Sequence, residues 1–207
     1  MKNKFHSPSG KLSTLVGKPL ALMGDDIDTD RIIPARFLKS VSFENLGQSV
    51  FADDRRNLDG THPFDLDKNQ GASILIVNSN FGCGSSRAHA PQALLRWGIR
   101  AIIGESFAEI FYGNCVAIGL PCFTLSKDVI KSIQNNVNQG DCLFEINIKD
   151  ATLKYGSVKL NLEIKNSSKQ MFLSGEWDAT FSLLKNINLI EKKINDLPYT
   201  KFNKSLY

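Results

Sequence analysis

Residues 80–91 form a segment rich in glycine and serine whose side chains are suited to bind an anion. Its two glycines allow positive φ angles and a close approach of the backbone to a ligand. Arg87 adds a planar, permanently charged guanidinium that matches a carboxylate or a phosphate. Pro91 is tolerated only in the first turn of a helix, so we expect a helix to begin between Ser86 and His89, with its N-terminus facing the bound anion.

The same segment has a purely structural interpretation, in which Ser85 and Ser86 only cap the helix. It lacks the Gly-Lys-Ser/Thr of a P-loop, and the third glycine of a dinucleotide-binding loop is also missing. The lone His89 is better explained as a packed or hydrogen-bonded residue at the helix start than as a metal ligand. Anion binding and helix capping both stay open on the pattern alone.

Residues 25–30 form a second polar segment, with four aspartates in six positions. The spacing does not match a calcium-binding EF-hand loop, which needs a glycine and a terminal glutamate at fixed positions. A solvated turn is the simpler interpretation, and a contribution to a ligand site is the alternative.

The overall composition is that of one globular domain. The chain has 207 residues, of which 42% are hydrophobic, enough for a sizeable core. The net charge is only +4 and the basic residues are scattered, which argues against a nucleic-acid or membrane surface. No stretch approaches the roughly 20 apolar residues of a membrane span, and residues 1–11 lack the apolar core of a secretory signal. We therefore expect a cytoplasmic protein, or an organellar one whose transit segment was removed.

The four cysteines are not arranged as a metal or redox motif. They stand at Cys83, Cys115, Cys122 and Cys142, with no Cys-x-x-Cys pair, and the three histidines are also far apart. We expect buried, reduced thiols and no metal or iron–sulfur cluster held by this chain alone.

A strand–helix–strand unit positions the anion-binding segment. Residues 74–77 form a continuous apolar run typical of a buried strand, and residues 101–103 form another. Between them, apolar residues recur at helical spacing up to Trp97, and Gly98 is placed as the C-cap. The two strands should be parallel with a right-handed crossover. Open α/β sheets bind ligands at the carboxyl ends of such strands, where residues 78–86 lie.

The rest of the chain adds flanking elements. Residues 11–23 predict one or two strands, and Ser106 to Glu109 fit a capping box that opens a further helix. Pro121 precedes a short strand. Residues 143–148, 152–155 and 158–164 alternate apolar and polar side chains, as half-exposed antiparallel strands do. A final helix over residues 176–195 carries an apolar stripe that we expect to pack on the core. The fold class is α/β with a parallel strand–helix–strand centre and antiparallel additions, in one domain over 1–207 with a C-terminal helical extension from about residue 176.

Several segments resemble one known family. Residues 84–90 resemble the Gly-Ser-Ser-Arg-Glu-His-Ala motif of the mobile swivel domain of the aconitase superfamily. Residues 28–38, 80–84, 105–111 and 172–180 resemble segments of the small subunits of 3-isopropylmalate dehydratases, in the same order over nearly the whole chain. The resemblance implies an aconitase-type swivel domain with β/β/α layers. It also implies a hydro-lyase subunit of leucine biosynthesis that isomerises 2-isopropylmalate and 3-isopropylmalate by dehydration and rehydration.

The resemblance further implies partners and residue roles. The chain would be active only with a large subunit that carries a [4Fe–4S] cluster, and it would bind a small hydroxy-dicarboxylate but no nucleic acid or membrane. Ser85 would be the catalytic base and Arg87 a ligand of the substrate carboxylate. The implied substrate-binding residues are Thr29, Asp30, Phe37, Leu38, Lys39 and Ser86, three of which belong to a substrate-selecting loop over residues 37–40.

One departure and two alternatives accompany the resemblance. Ala88 stands where the family motif has Glu, so the acid that orients Arg87 must come from elsewhere or be absent. The loop over residues 37–40 offers both apolar surface and the cation of Lys39, so a related subunit acting on homoaconitate, citraconate or citrate is one alternative. A non-enzymatic anion-binding or RNA-binding module is the other.

Overall fold

The computed structural model describes residues 7–39, 45–139 and 142–197. The strands are β1 Thr14–Ala21, β2 Ala72–Ile76, β3 Ala101–Gly104, β4 Cys122–Thr124, β5 Phe144–Asn147, β6 Thr152–Tyr155 and β7 Val158–Asn161. The helices are α1 Thr29–Ile32, α2 Ala52–Asn57, α3 His89–Trp97, α4 Glu109–Ala117, α5 Lys127–Gln139, α6 Asn166–Ser174, α7 Ala179–Lys185 and α8 Ile187–Asp196. Short 3-10 helices span Ala35–Lys39, Leu46–Ser49 and Asp67–Asn69.

The strands form one seven-stranded sheet in the order β4-β3-β2-β1-β5-β6-β7. Strands β1 to β4 pair in parallel, and β5 joins the other side of β1 in antiparallel pairing. Strands β6 and β7 complete the antiparallel half as a hairpin. The predicted α/β class, with a parallel centre and antiparallel additions, is therefore confirmed.

Both faces of the parallel half are covered, which explains the continuous apolar run of β2. Successive side chains of a strand point to opposite faces, and Leu75 packs in one core cluster while Ile74 and Ile76 pack in the other. Helix α3 contributes Ala90, Ala93 and Leu94 to the first cluster. A parallel sheet buried on both sides leaves only the ends of its strands free to form a site.

The predicted elements around this sheet are largely present. Helix α3 begins at His89, within the expected limits, and ends at Gly98, whose φ of 133° suits glycine alone. The antiparallel strands fall where the alternation places them. Helices α5 and α6 are not among the elements expected from the sequence.

The C-terminal helical extension differs from expectation. Two helices, α7 and α8, replace the single one, with Asn186 between them. Trp177, at the start of the expected stripe, is buried in the core. The rest of the stripe does not pack there, because neither α7 nor α8 has a buried residue and Leu184 is 63% exposed. Helical periodicity predicts which side chains share a face, but not whether another element covers that face. None of the helices described is long and apolar enough to cross a membrane.

Trp177 and Asp178 tie the start of this extension to the N-terminal segment. The indole N–H of Trp177 donates to the carbonyl of Gly10 at 2.9 Å. The Asp178 carboxylate accepts from the backbone N–H of Phe181 and of Gly10, both at 3.0 Å. It thus caps α7 and holds a residue 168 positions away in sequence.

We expect Asp178→Ala to lower the free energy of unfolding by about 1 kcal/mol, the usual effect of losing an N-cap. Asp178→Asn keeps one acceptor oxygen and should lose less. The bonds from Phe181 and then Gly10 hold the pKa of Asp178 below its ordinary value. Its charge therefore stabilises the fold above the unfolded-state pKa, and that contribution disappears as pH falls through the lowered pKa. Urea denaturation at several pH values checks this. An advantage of wild type over Asp178→Asn that grew toward low pH would contradict it.

Candidate active site

The loops that follow β1 and β2 run side by side at the carboxyl edge of the sheet. Gly82 N–H donates to the carbonyl of Ile27 at 2.8 Å, and Thr29 N–H donates to the carbonyl of Cys83 at 2.9 Å. Asp28 and Cys83 also form an isolated parallel bridge. The two polar segments, residues 25–30 and 80–91, therefore follow neighbouring strands and contact each other at the carboxyl edge of the sheet.

The aspartates of residues 25–30 are largely exposed to solvent, as a solvated turn would have them, but three of them also tie this segment to the next loop. Asp25 accepts from the N–H of Ser79 at 3.0 Å, and Asp26 accepts from the amide of Asn80 at 2.8 Å. Asp28 caps α1 by accepting from the N–H of Arg31 at 2.7 Å, and Asp30 forms an ion pair with Arg87.

The two glycines of the second loop have the positive φ angles that the sequence predicts. The φ of Gly82 is 79° and that of Gly84 is 85°. A Cβ added to Gly82 would lie 2.2 Å from the ring of Phe111, whereas one added to Gly84 would come no closer than 3.4 Å to any heavy atom. Gly82 is thus required for packing as well as for backbone conformation, because it lets the loop lie directly on helix α4.

Asp30 binds one side of the Arg87 guanidinium, at the Nη2 atom. Its Nη2 lies 3.0 Å and 3.1 Å from the two carboxylate oxygens of Asp30. Its Nη1 is buried and has no hydrogen-bond partner in the described part of the chain. Buried charged donors are normally satisfied, so Nη1 is suited to receive an acceptor from a ligand. Asp30, on the neighbouring loop, supplies the acid that Ala88 does not.

Ser85 and Ser86 are exposed and line a cavity with Arg87. The N-cap residue of α3 is Ala88, and no side chain caps this helix, so the interpretation of the serines as mere helix caps is wrong. The hydroxyl of buried Thr29 donates to the carbonyl of Ser85 at 2.8 Å. This bond fixes the backbone from which the Ser85 hydroxyl projects.

The first turn of α4 forms the other wall of the cavity. The cavity has a volume of about 280 Å³. Its lining residues are Thr29, Gly82, Gly84, Ser85, Ser86, Arg87, Ala108, Glu109, Ile110 and Phe111. The sequence patterns did not place Ala108, the N-cap of α4, or the three α4 residues after it in this site. Ser106 does not form the predicted capping box, because its hydroxyl accepts from the N–H of Asn80 at 2.8 Å and α4 has no side-chain cap.

The predicted site residues are thus brought together in part. Thr29, Ser85, Ser86 and Arg87 line the cavity, and Asp30 acts on it through Arg87. Phe37 and Leu38 pack half-buried against the core and do not line it. The side chain of Lys39 and residue 40 lie outside the described residues, as do residues 198–207 of the extension. A substrate contact by the loop over residues 37–40 stays a prediction.

The comparisons with known proteins agree with this geometry. The family model of the aconitase C-terminal domain matches residues 9–128. The 3-isopropylmalate dehydratase small subunit of Synechocystis sp. is 48% identical over 196 residues, which cover 94% of this chain and 98% of that protein. This chain belongs to the 3-isopropylmalate dehydratase small subunit family. A member from Thermus thermophilus is 43% identical over 195 residues, covering 92% and 97% of the two chains.

A solved structure supports the same family. The crystal structure of 3-isopropylmalate dehydratase (leuD) from Methanocaldococcus jannaschii superposes with a TM-score of 0.65 at 27% identity. The match covers 87% of this small-subunit family member and 99% of that chain. Across residues 7–39, 45–139 and 142–197, no group of three or more His, Cys, Asp or Glu side chains is arranged to hold a metal ion.

We expect Gly82→Ala to destabilise this family member more than Gly84→Ala. Both substitutions incur the strain of a left-handed backbone, about 1–2 kcal/mol. Only Gly82→Ala also forces a Cβ into the ring of Phe111, which adds about 1–3 kcal/mol of overpacking. The free energies of unfolding in urea give the difference. Equal losses in the two variants would show that the loop does not need its close contact with α4.

Proposed function

We propose that this chain is the small subunit of a 3-isopropylmalate dehydratase, acting in the cytoplasm on a hydroxy-dicarboxylate in leucine biosynthesis. Its large partner subunit would hold a [4Fe–4S] cluster and this chain would hold none. The observation that carries the proposal is the cavity lined by the exposed Ser85 and by Arg87, whose buried Nη1 has no partner among the described residues. The likeness to curated small subunits over almost the full length supports it. The four cysteines are free, as suits a reducing compartment.

Arg87 would clamp the carboxylate beside the reacting carbon. Removal of a proton from that carbon builds negative charge on the carboxylate, and a donor that is already oriented stabilises this charge without reorganisation. Asp30 holds Nη2 through two contacts, so the guanidinium plane is fixed, and the buried Nη1 stays available for a substrate carboxylate. A lysine in its place would keep the charge but lose the planar two-point geometry.

Ser85 would be the base that takes this proton. A serine hydroxyl is a weak base at its ordinary pKa, so it needs a cationic setting rich in hydrogen bonds. Arg87 lies two residues away and lines the same cavity, and the bond from Thr29 fixes the Ser85 backbone at 2.8 Å. The partner's cluster iron would serve as the Lewis acid for the departing hydroxide. The unsaturated diacid would then take up one water in the opposite sense. A proton would go to the carbon that lost hydroxide, and hydroxide to the carbon that lost the proton, which gives the isomer.

We expect the purified chain alone to be colourless and inactive. Mixed with a large subunit of the family, it should isomerise isopropylmalate in preference to homoaconitate. The ultraviolet absorbance of the unsaturated diacid measures the reaction. A complex made with Ser85→Ala is the negative control for the proposed base. Visible iron–sulfur absorbance in this chain alone, or a preference for homoaconitate, would overturn the proposal.

We expect Arg87→Lys to lower kcat/KM of the assembled complex at least about 30-fold, because one oriented donor is lost. This factor corresponds to about 2 kcal/mol of transition-state stabilisation. Asp30→Asn should reduce it less, since the guanidinium keeps its charge but loses its fixed plane. Arg56→Lys, an exposed residue of α2, is the matched control and should leave kinetics unchanged. Near-normal kinetics in Arg87→Lys, with the fold intact by circular dichroism, would contradict the site assignment.

A further inference from the structure

The first turn of α4 presents an apolar side chain to the cavity that no other group in the described chain covers. Ile110 is 58% exposed, yet it lines the same cavity as Ser85 and Arg87. The next residue, Phe111, is buried and packs edge-on against Phe81 with ring centroids 5.4 Å apart. An exposed isoleucine gains free energy when a ligand removes its surface from water. The position of Ile110 at the cavity therefore points to an apolar group on the ligand.

The cavity is divided into a polar and an apolar wall. Thr29, Ser85, Ser86 and Arg87 come from the loops after β1 and β2, and all of them offer hydrogen-bonding groups. The wall formed by α4 and its N-cap contributes Ala108, Ile110 and Phe111. A ligand that fills such a cavity carries an anionic end and an alkyl branch on the same small skeleton.

The charge next to Ile110 has the sign that rejects an anionic branch. Glu109 also lines the cavity, and its side chain is 90% exposed. The ammonium of Lys165 lies 3.7 Å from its carboxylate, a weak surface pair. A carboxylate at the end of the substrate branch would therefore meet an apolar surface, beside a negative charge that solvent and Lys165 partly screen. Specificity arises from rejection of the wrong ligand as much as from attraction of the right one.

We infer that Ile110 is a specificity-determining residue that receives the alkyl branch of the substrate, with Ala108 beside it and Glu109 excluding a third carboxylate. The inference rests on the proposed function, whose reaction it does not alter. It does not depend on Phe37 or Leu38, which do not line this cavity.

Three succinates test this in the assembled complex, as competitive inhibitors of isopropylmalate turnover. Succinate has no branch, isopropylsuccinate has an alkyl branch, and tricarballylate has a third carboxylate. Wild type should bind isopropylsuccinate the most tightly. In Ile110→Ala, the preference for isopropylsuccinate over succinate should fall about tenfold or more, the usual effect of a lost hydrophobic contact. In Ile110→Lys, tricarballylate should gain affinity relative to isopropylsuccinate, because a cation replaces the apolar surface.

Leu143→Ala, at another exposed apolar residue (64% exposed), is the matched control and should change none of these ratios. Equal weakening of all three inhibitors in Ile110→Ala, or a loss of affinity for the large subunit in a titration, would make Ile110 a subunit contact and overturn the inference. An unchanged ratio in Ile110→Ala would overturn it as well. Failure of the proposed function is a separate result, namely a wild-type complex that does not turn over isopropylmalate.

Discussion

The ion pair between Asp30 and Arg87 is the interaction on which the site depends. Arg87 is mostly covered, with 18% of its side chain exposed, and a buried guanidinium without an acidic neighbour is strongly unfavourable. Asp30 compensates only part of this, since it binds Nη2, and Nη1 has no partner among the described residues. The pair therefore holds the guanidinium in one orientation and keeps one donor available. A second carboxylate, from the substrate, would complete the coordination of the charge.

This pair requires that two distant loops have one relative position. The backbone bonds from Gly82 to Ile27 and from Thr29 to Cys83 supply it, and side chains of Asp25 and Asp26 reinforce it. The loops in turn follow two adjacent parallel strands, β1 and β2, whose carboxyl-terminal residues are buried. Helix α4 then presses on Gly82 through Phe111. A change in any of these contacts would act on Arg87 indirectly, by moving Asp30 relative to it.

Local patterns were enough to predict the centre of the fold and one wall of the site. The apolar run of β2, the helical spacing up to Trp97 and the two glycines each depend on short-range physics, and each was confirmed. The Asp30–Arg87 pair joins residues 57 positions apart, so spacing alone did not reveal it, and the resemblance placed both residues at the site without pairing them. Ile110 was missed because an exposed isoleucine carries no chemical signal in a sequence. A usable signal was present, because helix α4 begins after β3, and the carboxyl ends of parallel strands meet at one edge of the sheet. This placement could have located Ile110 near the site. The expectation that the stripe on α7 and α8 packs on the core was wrong, because apolar periodicity does not show which element, if any, covers that face.

The charges of the cavity argue that it is half of a site. A dicarboxylate brings two negative charges, and among the described residues that line the cavity Arg87 is the only cation and Glu109 the only acid. Arg87 is already paired with Asp30, so binding of one carboxylate to Nη1 would leave the group of three charges net negative. A second carboxylate would add to that excess, because Lys165, which lies 3.7 Å from Glu109, does not line the cavity. Further positive charge would then come from beyond the residues that line this cavity, and under the proposed function the large subunit with its cluster would supply it. Under the proposed function, the polar wall formed by this chain would bind and deprotonate one end of the substrate, and the partner would bind the other end and the hydroxyl.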